Sequence, residues 1–81
     1  MQDHSWEKEK QRLYHHLERK MMIYFYARQR ISSIDEALIN VSHHDAEKLF
    51  LEREFIEENI YQLSQEIDNL SEHIKQVNIY S

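Results

Sequence analysis

The feature that most limits how this chain can fold is an absence: its 81 residues include neither a glycine nor a proline. Two-residue hairpin turns, phosphate-cradling loops and nucleophile elbows all lean on glycine's access to positive φ. Without it, most sheet topologies and most enzyme motifs are lost together. Glu, Lys, Gln, Leu and Ile recur along the chain with no breaker between them, so it reads as all-α. Cysteine is also missing, which excludes a disulfide framework, thiolate metal ligands and a thiol nucleophile. The length suits one small domain, residues 1–81, whose core is marginal without association.

One internal stop is convincing, Asn40-Val41-Ser42-His43-His44-Asp45. Ser42 followed by Asp45 fits a helix N-cap with an acidic first turn. Asn40 is suited to the left-handed conformation that ends many helices. A second candidate, Ser33-Ile34-Asp35-Glu36, has capping-box spacing, but the apolar pattern runs straight through it. The expected layout is a helix over about 5–40, a turn at about 41–42 and a second helix over about 43–78.

Apolar residues step by three and four along both segments, the spacing of a coiled-coil seam. The second seam runs Ala46, Leu49, Arg53, Ile56, Ile60, Leu63, Ile67, Leu70, Ile74 and Val77. The first runs Trp6, Lys10, Leu13, Leu17, Lys20, Tyr24, Ala27, Ile31, Ile34, Leu38 and Val41. Folding at residues 41–42 pairs Leu38 with Ala46, Leu13 with Leu70 and Trp6 with Val77. The residue numbers of every pair add to the same total within one, so the seams stay in phase along an antiparallel two-helix hairpin. Each arm is roughly 50–55 Å long at 1.5 Å per residue. Lys10, Lys20 and Arg53 are expected to lay their stems on the seam and carry their charges to water.

The run Met21-Met22-Ile23-Tyr24-Phe25-Tyr26 then acquires a meaning. It is too short to cross a bilayer, and no other segment is long and apolar enough to do so. At about 100° per residue, Tyr24 lies on the seam with Met21 beside it, Met22 and Tyr26 point away, and Phe25 lies well off it. On the second helix Leu51 points away, while Phe50, Phe55 and Tyr61 flank the seam. A lone hairpin leaves these side chains wet, and an exposed apolar patch usually marks an interface. Met22, Phe25, Tyr26, Phe50, Leu51, Phe55 and Tyr61 are therefore the candidate partner-binding residues. The expected partner is a helical protein surface, a second copy of the chain, or both, assembling into a bundle.

Other chemistry finds little support. Net charge is −5, whereas binding to a phosphate backbone needs a basic footprint. Residues 1–41 carry seven Lys/Arg against six Asp/Glu, and residues 42–81 three against nine. No nucleic-acid or membrane partner is expected. The six histidines include the neighbours His15-His16 and His43-His44, but no pair has the i, i+4 spacing of helical metal sites. Glu52, Glu54, Glu57, Glu58 and Glu66 read as a solvated acidic face on a helix without a cleft. Ser32, Ser33, Ser42, Ser64 and Ser71 have no oriented base nearby. No catalytic residue, metal or cofactor is expected, and the expected compartment is the cytoplasm, with non-classical export left open.

Two stretches carry local resemblances. Ser64-Gln65-Glu66-Ile67-Asp68 resembles the Ser-Gln-x-Leu-Asp signature of small two-helix aspartyl-phosphate phosphatases of sporulation signalling, with isoleucine in place of the leucine. That resemblance implies a signalling hairpin acting on a response regulator through Gln65 and Asp68. The hairpin as a whole is similar to the small helical helper proteins of type VII secretion. Phe50-Leu51-Glu52-Arg53-Glu54 has the aromatic-x-x-x-acid spacing found among them, while their Trp-x-Gly turn is missing. The leading expectation is a non-enzymatic adaptor, chaperone or inhibitor that acts by binding.

Overall fold

A computed structural model describes residues 5–80 of the chain, with side chains over residues 7–79. It contains two helices, α1 (Ser5–Ala37) and α2 (His43–Tyr80), packed side by side in opposite directions. The described residues contain no strand. The chain extends 67 × 14 × 13 Å with a radius of gyration of 18.5 Å, where a compact chain of this length has roughly 12 Å. The hairpin is therefore a bare rod, one helix pair thick.

The seam holds position by position. From Lys10 to Val41 on α1 and its continuation, and from Ala46 to Val77 on α2, every seam residue is buried or half-buried. Among the other described residues only Glu9, Glu52 and Ser71 reach that degree of cover. Ile34 is the deepest side chain, at 1% exposure, and Leu13, Ile74 and Val77 form the largest buried cluster, with Leu17 and Leu70 against it. Leu13 and Leu70, a pair in the expected register, thus meet in one cluster. The pairing of Trp6 with Val77 involves a side chain outside those described.

Ser33 starts no new helix, because stopping there would expose Ile34, the most buried of the described residues. The end of α1 does differ from the expected one. The helix stops at Ala37, three residues early, and it stops without a left-handed residue, since no described residue has positive φ. Its last turn tightens instead: the Ile39 amide donates to the Glu36 carbonyl at 3.2 Å and the Asn40 amide to the Ala37 carbonyl at 3.3 Å. Such i→i−3 bonds satisfy helix-end carbonyls without a glycine-like cap. Ile39, Asn40 and Val41 are also weak helix formers.

The start of α2 is as expected. The Ser42 hydroxyl accepts the Asp45 amide at 3.3 Å, and the Ser42 carbonyl accepts the Ala46 amide at 2.9 Å. Asp45 places a negative charge in the first turn, where the helix dipole favours it. At its far end α2 runs two residues beyond the expected stop at 78, to Tyr80. Nothing in Ile79-Tyr80 breaks a helix.

Candidate functional site

Three ion pairs tie the arms, and two of them fix the level of the apolar run. Arg30 grips Glu52 with two hydrogen bonds, Nε to Oε1 at 2.8 Å and Nη2 to Oε2 at 3.0 Å. Nearer the open end Lys20 Nζ pairs with the Glu66 carboxylate. The apolar run 21–26 therefore lies level with the stretch of α2 between Glu52 and Glu66, which contains Phe55 and Tyr61. Most of the exposed apolar side chains of the two helices fall in a band at the middle of the rod, with Phe50 and Leu51 just beyond Glu52 toward the turn, while Ile39 lies at the turn and Ile79 near the open end.

All seven candidate residues are exposed, from 57% for Met22 and Phe50 to 68% for Leu51. Phe55 and Tyr61, expected to flank the seam, are as open as Leu51, so the band continues round the back of α2. Met22, Phe25, Tyr26 and Gln29 line a shallow groove on the outer face of α1. Phe25 meets Tyr24 edge-on at 6.2 Å between ring centres, and Arg28 sits 6.0 Å over the Tyr24 ring. These contacts steady the inner edge of the band and leave its outer half bare. Ile23, Met21 and Tyr14 are exposed as well. They escaped the sequence reading because each sits next to the seam, where periodicity alone does not separate covered from open.

The band is divided by the two grooves that run between the helices. Residues seven apart share a line along a helix in a coiled coil. Arg53 donates to Asp35 at 2.8 Å and also pairs with Glu57. The Tyr14–Met21–Arg28–Asp35 line of α1 and the Phe50–Glu57–Ser64–Ser71 line of α2 therefore border one groove. The Arg30–Glu52 and Lys20–Glu66 pairs mark the opposite groove. Ile23, Ala27, Ile56, Asn59 and Leu63 also line that one, with a volume of about 320 Å³.

The acidic residues need a correction. Glu52 and Glu66 do not belong to an outer acidic face; each reaches across the arms to a cation of α1. Both lie beside the seam, one step from the facing helix, which a count of acids along α2 does not reveal. Lys20 and Arg53, expected to send their charges to water, end on carboxylates instead. The hydrogen bond from Arg30 holds the Glu52 carboxyl below its ordinary value, and the same pair raises the Arg30 guanidinium. Arg53 is raised chiefly by its hydrogen bond to Asp35.

The described residues contain no group of three or more His, Asp or Glu placed to hold a metal ion. His15 and His16 lie with Arg12 and Arg19 around a small groove, where the two guanidinium groups oppose a metal cation. Gln65 donates to the Tyr61 hydroxyl at 3.1 Å within its own helix. Among the described residues no helix is long and apolar enough to cross a membrane. Comparison with protein-family models, curated proteins and solved structures finds no match.

Proposed function

We propose that this chain is a non-enzymatic helical interaction module whose apolar collar docks on a helical surface, either of another protein or of a second copy. One observation carries the reading: exposed Met, Phe, Tyr, Leu and Ile side chains surround the middle of the rod, and no third element among the described residues covers them. Burying a large apolar side chain contributes roughly 1.5–3 kcal/mol, so a partner that covers even part of the band gains substantially. Methionine and aromatic side chains adapt to a facing surface at modest entropic cost. The mode of recognition is bundle completion, with the outer faces of the hairpin meeting the apolar stripe of a further helix.

The test is a triple substitution, Met22→Glu with Phe25→Lys and Tyr26→Gln. These residues are off the seam and their replacements are good helix formers, so circular dichroism should show the helix content retained. Association, read by sedimentation or by capture of the partner, should be lost, because binding energy concentrates in a few aromatic anchors. A variant that unfolds yet stays associated would show that seam and collar have been assigned the wrong way round.

A further inference from the structure

The two grooves of the rod differ in charge. On the side of the Glu52 and Glu66 pairs, His16, Ile23 and Arg30 follow one another at seven-residue steps along α1, with Arg12, Arg19 and Tyr26 on the next line out. The outer line of α2 on the same side is Phe55, Gln62, Asn69 and Gln76, none of them charged. Between the helices, Ile23, Ala27, Ile56 and Leu63 supply the apolar lining of the groove, and Asn59 and Gln62 stand at its α2 edge. The acids beside it, Glu52 and Glu66, are already engaged by Arg30 and Lys20.

Toward the open end the same side becomes cationic. Arg12, His15, His16 and Arg19 surround a smaller hollow of about 190 Å³ on α1. Arg12 is held by Glu9, whereas Arg19 forms no ion pair with any described residue. Histidine donates a hydrogen bond in either protonation state, so His15 and His16 add donors to the two guanidinium groups.

The opposite groove has the reverse sign. Glu18 of α1 and Glu54 and Asp68 of α2 lie on its outer lines, and none of them has an ion-pair partner among the described residues. Arg28 is the one cation of α1 on its border. A helix with acids beside its apolar stripe is therefore attracted to the first groove and repelled at the second, since like charges exclude a partner and opposite charges set its register. The uneven rim also fixes how such a helix lies. Its acids belong on the flank that meets α1, and uncharged polar residues on the flank that meets the amides of α2. From the level of Arg12 to that of Arg30 the site is roughly 27 Å long, enough for about five helical turns. α2 of a second copy is acidic too, but its continuous apolar stripe is already covered by α1.

We infer that the groove lined by Ile23, Ala27, Ile56 and Leu63 receives an amphipathic helix of another protein, with an acidic flank laid along Arg12 and Arg19. The inference rests on the collar reading above, whose Tyr26 and Phe55 stand just outside this groove, and adds the face and the partner's chemistry.

Two synthetic helices of about 18 residues, the length of the site, supply the test. Both carry Leu and Ile at heptad spacing; one has Glu along one flank and Gln along the other, and the second has Gln along both. Binding is read in 0.15 M salt, where charges on the far side of the rod are screened beyond roughly 8 Å. The acidic peptide should bind about tenfold more tightly than the neutral one, which a few exposed charge pairs supply together. Arg12→Glu with Arg19→Glu should abolish that preference and leave the helix content in circular dichroism unchanged. Glu18→Gln with Asp68→Gln, on the other side, should leave the preference intact. Equal affinity for the two peptides, or no binding of either, would overturn the acidic partner while leaving the collar free to meet another surface. A preference that survives the arginine substitutions, or that changes with Glu18 and Asp68, would overturn the choice of face. A dimer that excludes the acidic peptide would give the groove to a second copy, and binding to phosphatidylserine vesicles in place of the peptide would give it to a membrane surface; either overturns the inference. Peptide binding undiminished by the Met22, Phe25 and Tyr26 triple substitution would instead sink the collar reading.

Discussion

The two ends of the rod are held together by different physics. At the open end, Leu13, Ile74 and Val77 are buried with Leu17 and Leu70 packed on them, and the described residues there form no ion pair between the arms. Toward the turn only Ile34 is buried. The arms are joined there by Arg30–Glu52 and by Arg53–Asp35, with Glu57 holding Arg53 from within α2. The seam sequence accounts for the contrast. On α2 large aliphatic residues follow one another at the open end, from Ile67 to Val77, whereas Ala46 and Arg53 thin its seam toward the turn. Near a short connection the arms are already held close, so modest contacts suffice to align them. Far from it, loop-closure entropy must be offset by burial.

If that contrast is right, cutting the open-end cluster should have the largest effect. Ile74→Ala or Leu13→Ala should cost about 2–5 kcal/mol in chemical denaturation, the usual range for truncating a buried aliphatic side chain. Amide exchange should rise mainly at the open end. A loss spread evenly along the rod would mean that the two ends fold as one unit. The seam between them is tested by Leu17→Ala and Ile67→Ala. Each should cost toward the lower end of the same range, because these side chains are half-covered.

Ser42→Ala should come next, at about 1 kcal/mol, as expected for removing one N-cap side chain. Fraying of the first turn of α2 in amide exchange should accompany it. A cysteine pair replacing Leu13 and Leu70 should close within one chain, and cross-linking only between chains would break the register.

The ionic half of the comparison gives the smaller effects. Arg53→Met keeps the stem on the seam and removes the charge. It should lower stability slightly at low salt, by less than either open-end truncation, and the difference should shrink as salt is added. Acid should act on the same end. Glu52 has its pKa depressed by the Arg30 hydrogen bond, so its pair contributes in full above the ordinary glutamate value. That contribution fades as pH falls through the lower folded value. Glu52→Gln should remove this acid sensitivity, leaving a small baseline loss at neutral pH. The open-end cluster, which contains no titratable side chain, should show no matching change.

The sequence by itself determined the helices, the seam and the register. Heptad spacing repeats along one dimension, and a chain without glycine or proline offers no competing turn to disturb it. Met22, Phe25, Tyr26 and Leu51 were legible as outward residues for the same reason: they stand far enough round the helix that small errors of angle do not matter. Tertiary structure decided what lies beside the seam. Whether Glu52 and Glu66 face water or a cation, and whether Ile23 and Met21 are covered, depends on which side chain of the other arm stands opposite, and at what height. The end of α1 is of the same kind. Ala37 is a good helix former, yet the helix stops there, because the chain must reverse within five residues, 38–42, and still bring Leu49 level with Ile34. That is a demand of the hairpin as a whole, set by closing the two arms on each other, to which the weak helix formers Ile39, Asn40 and Val41 only add.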